Sequence, residues 1–207
     1  MLSAFLIGAA AGYAIAIPVG PIAVLIVRTG MRRGFLIAAA AGAGTATVDL
    51  IYAISAVVVG SAVTSLLTSV LLPMRLAAAA ALLYLAVRAL LRLGRTDMAL
   101  ETPGVERSTA RTYLLFVGLT LLNPATVAYF VTLAVGLPQI AQDAGSRLAF
   151  AVGASLSSLS WQTLLAGIGA ALHARLTPRM ELATALLSSA ILAGFALRIA
   201  ADALAGG

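Results

Sequence analysis

Residues 12–21 read Gly12-Tyr-Ala-Ile-Ala-Ile-Pro18-Val19-Gly20-Pro21, two prolines three residues apart inside an apolar run that extends from Ser3 to Val27. Each proline removes a backbone donor and its ring clashes with a preceding carbonyl, so a helix through this stretch must kink or open. The run is long enough to cross a bilayer, which takes roughly 20 apolar residues. A helix opened at that depth cannot leave its carbonyls to lipid, so the break is expected to face protein or a wet cavity.

A second copy of the pattern lies downstream. Gly118-Leu-Thr-Leu-Leu-Asn123-Pro124 sits in another apolar run, and in both runs a glycine precedes a proline by six residues. Gly42 and Gly153 lie 111 residues apart, and Arg88 and Arg198 lie 110 apart. Three landmarks at nearly one offset predict an internal repeat rather than chance similarity between Ala/Leu-rich segments. Six apolar runs frame it: Ser3 to Val27, Phe35 to Gly60, Met74 to Leu91, Thr112 to Val135, Leu148 to Leu172 and Leu182 to Leu204. The expected fold is therefore all-α and integral to a membrane, a single transmembrane domain over 1–207 with six spans. Residues 1–92 form one three-helix repeat and 112–207 the other, joined by a polar loop over 93–111. An odd-numbered repeat must insert its second copy upside down, the inverted architecture of secondary transporters, with spans one and four broken at matched positions.

Composition supports this. Hydrophobic residues make up 62% of the 207 and charged residues 10%, against roughly 45–50% and 25% in soluble domains. The net charge of +6 comes from 13 Arg and no Lys. Those Arg sit at the ends of apolar runs, which the positive-inside rule explains without a nucleic-acid partner. Arg28, Arg32, Arg33, Arg88, Arg92, Arg95, Arg107, Arg111, Arg175 and Arg179 fall on one side, with only Arg75, Arg147 and Arg198 on the other. That asymmetry makes the first, third and fifth loops cytoplasmic and puts both termini outside. No basic residue precedes the first apolar run, so it is expected to be kept as a span, not cleaved as a signal peptide.

Asp49 is the one acid in the interior of a span. It lies 14 residues after Phe35, about 20 Å along a helix, near the bilayer centre. A carboxylate there costs at least roughly 2.5 kcal/mol on insertion scales and is by default a functional site. A proton or an approaching cation removes that cost, so the two compete for it. The alternative is a carboxylate held by Thr45, Thr47 or an Arg from a helix end. Asn123 brings a donor and an acceptor to the second break. The repeat aligns Ser160-Trp161 with Asp49-Leu50, within a polar string of Ser155, Ser157, Ser158, Ser160, Gln162 and Thr163. Those hydroxyls line a cavity or bond neighbouring helices, and Trp161 either stacks over a cation or fills the core. Gly8 and Gly12 have the spacing of close helix packing. His173, the only histidine, is assigned no role.

These motifs resemble the lysine exporter family, the LysE/RhtB group of small bacterial amino-acid exporters. The resemblance covers most of the chain: the Pro-x-Gly-Pro element, Arg32-Arg33-Gly34, the glycine-bearing second span running to Asp49-Leu50-Ile51-Tyr52, Leu83-Tyr84-Leu85, and Asn123-Pro124. It departs from the tighter Pro-Gly-Pro of the family in carrying Val19, and it is less clear around Ser160. The resemblance implies gradient-driven efflux of amino acids or related small solutes across the bacterial cytoplasmic membrane, and it extends to Pro18, Gly20, Pro21, Asp49, Asn123 and Pro124; no cofactor is expected. A homo-oligomer is compatible with such a chain.

Other functions meet the inventory less well. An aspartyl protease needs two carboxylates sharing a proton, a serine enzyme needs a base beside its nucleophile, and thiol redox chemistry needs cysteine, which is absent. No enzyme is expected. A metal-cation exporter, using Asp, Asn and hydroxyls for hard ions, and a channel or passive membrane subunit stay open as alternatives.

Overall fold

A computed structural model describes residues 1–18, 20–59, 73, 76–87, 108–136, 143–173 and 178–205. Arg75, Arg88, Arg92, Arg95, Arg107 and Arg175, the Ser/Thr-rich loop before Pro73, most of the 93–111 loop and Val19 lie outside these, as do the side chains of Pro124, His173 and Arg179. Every regular element among the described residues is helical: α1 Leu2–Ala16, α2 Pro21–Arg33, α3 Phe35–Val59, α4 Leu76–Val87, α5 Thr109–Leu121, α6 Pro124–Gly136, α7 Ala144–His173 and α8 Pro178–Ala205.

The first apolar run is two helices. α1 stops at Ala16 and α2 starts at Pro21, bent by 78° to it. α5 and α6 part at Asn123 with a bend of 63° between them. The basic stretch Arg28 to Arg33, which the sequence leaves between the first two apolar runs, continues α2, and the turn is Gly34 alone at φ 79°, a backbone conformation that favours glycine. By length and composition α3 and α7 are each able to cross a bilayer, and up to four crossings result if each bent pair counts as one. Leu76–Val87 and Ser189–Ala201 are apolar but shorter.

α3 and α7 pack on each other at the centre; α1 and α2 lie along α7, and α5 lies along α3. Lipid tails are as apolar as leucine, so helices in a membrane associate by close van der Waals fit. The α1–α7 contact achieves that with glycine on both sides. A Cβ at Gly8 or Gly12 would collide with the Phe150 and Ala154 carbonyls, and one at Gly153 with the Phe5 carbonyl. The cores accordingly mix alanines with a few large side chains. Ala4, Ala53, Phe130, Phe150 and Ala154 pack at one level, and Ile22, Ile26, Ala38, Phe116 and Ala166 at another. Many other large apolar side chains point outward: Leu36 is 77% exposed and Leu197 67%, the surface a lipid-facing bundle presents.

Candidate functional site

Between those two cores, at the level of both breaks, is a polar cavity. It is lined by Ile15, Ala16 and Pro18 from the end of α1, Gly20 to Ala23 from the start of α2, Thr45 and Asp49 of α3, Thr120 of α5, Asn123 and Thr126 at the second break, and Gln162 of α7. About 60 Å³ is open to the centres of water-sized molecules, several times the roughly 10–15 Å³ that one water takes. A second, apolar cavity shares Pro21, Ile22 and Asn123 with it and is otherwise walled by Ala78, Ala81, Leu82, Leu119, Leu122 and Ile199.

Asp49 is 3% exposed. Its Oδ2 accepts from the Ser158 hydroxyl at 2.5 Å, a bond across the α3–α7 seam. Neither threonine weighed as its holder does that job. Thr45 donates to the Ala41 carbonyl, and Thr47 donates to the Ala43 carbonyl while accepting from the Tyr113 hydroxyl.

The two breaks differ in how their backbone groups are satisfied. Pro18 and Pro21 deprive the Ala14 and Ile17 carbonyls of their helical donors. The N-cap position before α2 is Gly20, an extended residue that offers no side-chain cap, so the first-turn N–H groups of Ile22 and Ala23 have no partner within the helix, and both residues border the cavity. At the second break the Asn123 Oδ1 accepts from the Ala125 N–H at 3.2 Å. The Asn123 N–H donates to the Thr120 carbonyl at 3.0 Å, and the Tyr52 hydroxyl donates to the Leu121 carbonyl at 2.8 Å.

Of the residues singled out in the sequence, Pro18, Gly20, Pro21, Asp49 and Asn123 meet on this one cavity. Pro124 opens α6 beside it. Ser160 and Trp161 do not join them. Ser160 is exposed, donates to the Ser157 carbonyl and is bonded to the Tyr13 hydroxyl. Trp161 is half-buried with its indole Nε1 unpartnered and is not on the cavity wall. The separation has a simple geometric cause: positions two apart on a helix face nearly opposite ways, so with Ser158 turned to Asp49, Ser160 must turn away. Sequence reading missed Thr120 and Thr126 entirely and placed Gln162 in a polar string without a role. Its signal there was a polar residue four positions from Ser158, on the same face.

No curated protein and no solved structure matches the chain. A family model described as LysE type translocator matches residues 13–203, from the last turn of α1 into α8, taking in both breaks, α3 and the residues that line the cavity. The chain therefore belongs to the LysE type translocators, multi-pass membrane exporters of small solutes.

Proposed function

We propose that this protein exports an amino acid or a closely related zwitterion across the bacterial cytoplasmic membrane, exchanging a proton for the substrate ammonium at Asp49. The observation that carries the reading is a buried carboxylate on the same cavity wall as an uncapped helix start. Those two features are complementary to the two ends of one zwitterion. An ionised carboxylate removed from water is costly until a proton or an ammonium neutralises it, which makes the two alternatives at one site. The N–H groups opening α2, with the positive end of its dipole, suit a carboxylate. The apolar cavity across the shared wall of Pro21, Ile22 and Asn123 suits the rest of the solute.

The same reading takes the chain as one domain of two inverted three-helix repeats. Its support is that each half holds a bent helix pair and a long helix, and that each bent pair packs on the long helix of the other half, α1 along α7 and α5 along α3. Both termini lie outside in this reading. Single cysteines at Ser108 and Thr177 would then label only after the membrane is permeabilised, and labelling from the periplasm in intact cells would invert the topology.

The mechanism is tested in proteoliposomes. Wild-type protein should show substrate-stimulated counterflow and export that accelerates under an imposed pH gradient. Asp49→Asn removes the charge with little change of shape. It should insert normally yet lose gradient-driven export to the level of protein-free vesicles. Wild-type gradient dependence in the variant would make Asp49 a structural residue.

A further inference from the structure

The α7 wall of the polar cavity holds a group to which the mechanism above gives no task. Gln162 is 4% exposed, and its Oε1 is buried with no hydrogen-bond partner. An unpaired buried carbonyl destabilises the fold, and an isosteric apolar residue would avoid that cost, so its retention calls for a ligand that brings a donor.

Three of the hydroxyls on or beside the cavity are already committed. Thr120 spends its proton on the Thr45 oxygen at 3.3 Å, Thr45 spends its own on the Ala41 carbonyl at 3.3 Å, and Ser158 spends its on Asp49. What Gln162 Oε1, the Thr120 oxygen and the Asp49 carboxylate have left to offer is lone pairs, that is, acceptors. Acceptors contributed to one small cavity by α3, α5 and α7 suit a ligand that carries several N–H donors on a single atom.

We infer that Gln162 is a specificity-determining residue of this site, which together with Asp49 and Thr120 selects a primary ammonium group over N-methylated and quaternary amines. The inference rests on the proposed handling of a substrate ammonium at Asp49 and adds which ammonium is accepted. Gly42 of α3 sets the position of Gln162: a Cβ at Gly42 would stand 2.8 Å from the Gln162 Cβ, so one or the other must shift.

The test compares labelled alanine, leucine, threonine and lysine in counterflow, then the N-methyl and N,N,N-trimethyl forms of whichever exchanges fastest. Wild-type protein should discriminate against the trimethyl form by about ten- to a hundredfold, the worth of stranding one or two buried acceptors. Gln162→Leu should raise the half-saturation concentration for the primary amine and reduce the discrimination by about tenfold, while Tm stays level or rises because an unsatisfied group has been removed. Gly42→Ala, which displaces the side chain without deleting it, should move discrimination the same way. Wild-type discrimination in both variants overturns the proposal. Should no amino acid exchange at all, it is the transport reading that has failed. Selectivity is then read from the Tm of purified protein with methylammonium or tetramethylammonium chloride, and equal shifts from the two salts overturn the inference.

Discussion

At the second break Asn123 turns its own side chain back onto the helix that follows and accepts from the Ala125 N–H, whereas at the first break Gly20 has no side chain to turn and the start of α2 stays uncapped. The carbonyl side differs as well, since Tyr52 reaches across from α3 to serve Leu121 at the second break. Two prolines three residues apart open the first break, and a single proline opens the second. The comparison teaches that a kinked helix and a binding site are separable outcomes of the same proline chemistry. A break whose polar groups are satisfied locally is a joint, and one whose donors face a cavity is available to a ligand.

The sharpest way to break this contrast is to seal the open end. A Cβ at Gly20 would meet only the Pro18 carbonyl, at 4.0 Å, so Gly20→Ser fits and supplies the hydroxyl cap that α2 lacks. Competition with a substrate carboxylate should raise the half-saturation concentration for export by about tenfold, while stability gains a few tenths of a kcal/mol. An unchanged half-saturation value would mean that the α2 start does not hold substrate.

The reciprocal change unseals the other end. Asn123→Ala strands the Ala125 N–H and should cost about 0.5–2 kcal/mol of stability, read as a lower Tm in detergent. Tyr52→Phe should act in the same direction by about 1 kcal/mol through the Leu121 carbonyl. Both should alter half-saturation less than Gly20→Ser does. A larger transport defect from Asn123→Ala would reverse the assignment of the two breaks.

The smallest effect belongs to a third helix start, capped from outside the spans. Asp143 accepts from the Ser146 N–H at 2.9 Å and its hydroxyl at 2.7 Å, and those bonds hold the carboxyl below the ordinary carboxylate range. A lowered folded-state value means that its contribution is present above about pH 4 and is lost as pH falls through the folded value. Asp143→Ala should therefore lower Tm slightly at neutral pH and not at all in strong acid. A difference that persists in acid would show that the side chain acts by packing and not by charge.

Much of this is legible in the amino-acid sequence alone, because it is decided locally. Pro18, Pro21 and Pro124 break helices wherever they are placed, since the missing N–H and the ring clash belong to the residue itself. The apolar runs demand lipid by composition, and Asp49 stands out because any carboxylate in such a run is costly. The Gly8/Gly12 spacing likewise points to the close α1–α7 contact, which requires only that two small residues share a helix face.

What tertiary structure alone decided is which of these groups meet. The repeat offset aligned Ser160 with Asp49, but equivalence between halves is not contact, and the rotation of α7 about its axis gives Asp49 to Ser158 instead. That rotation follows from glycine and alanine faces fitting along the whole length of α7, no single one of which fixes it. Thr120 and Gln162 reach the cavity for the same reason, from α5 and α7, each more than seventy residues of chain from Asp49. Sequence thus determined where the helices open and which carboxylate is buried, through sterics and solvation carried by single residues. Which opening stays unsealed, and what faces it, depended on the register between helices distant in sequence, a property of their packed surfaces taken together.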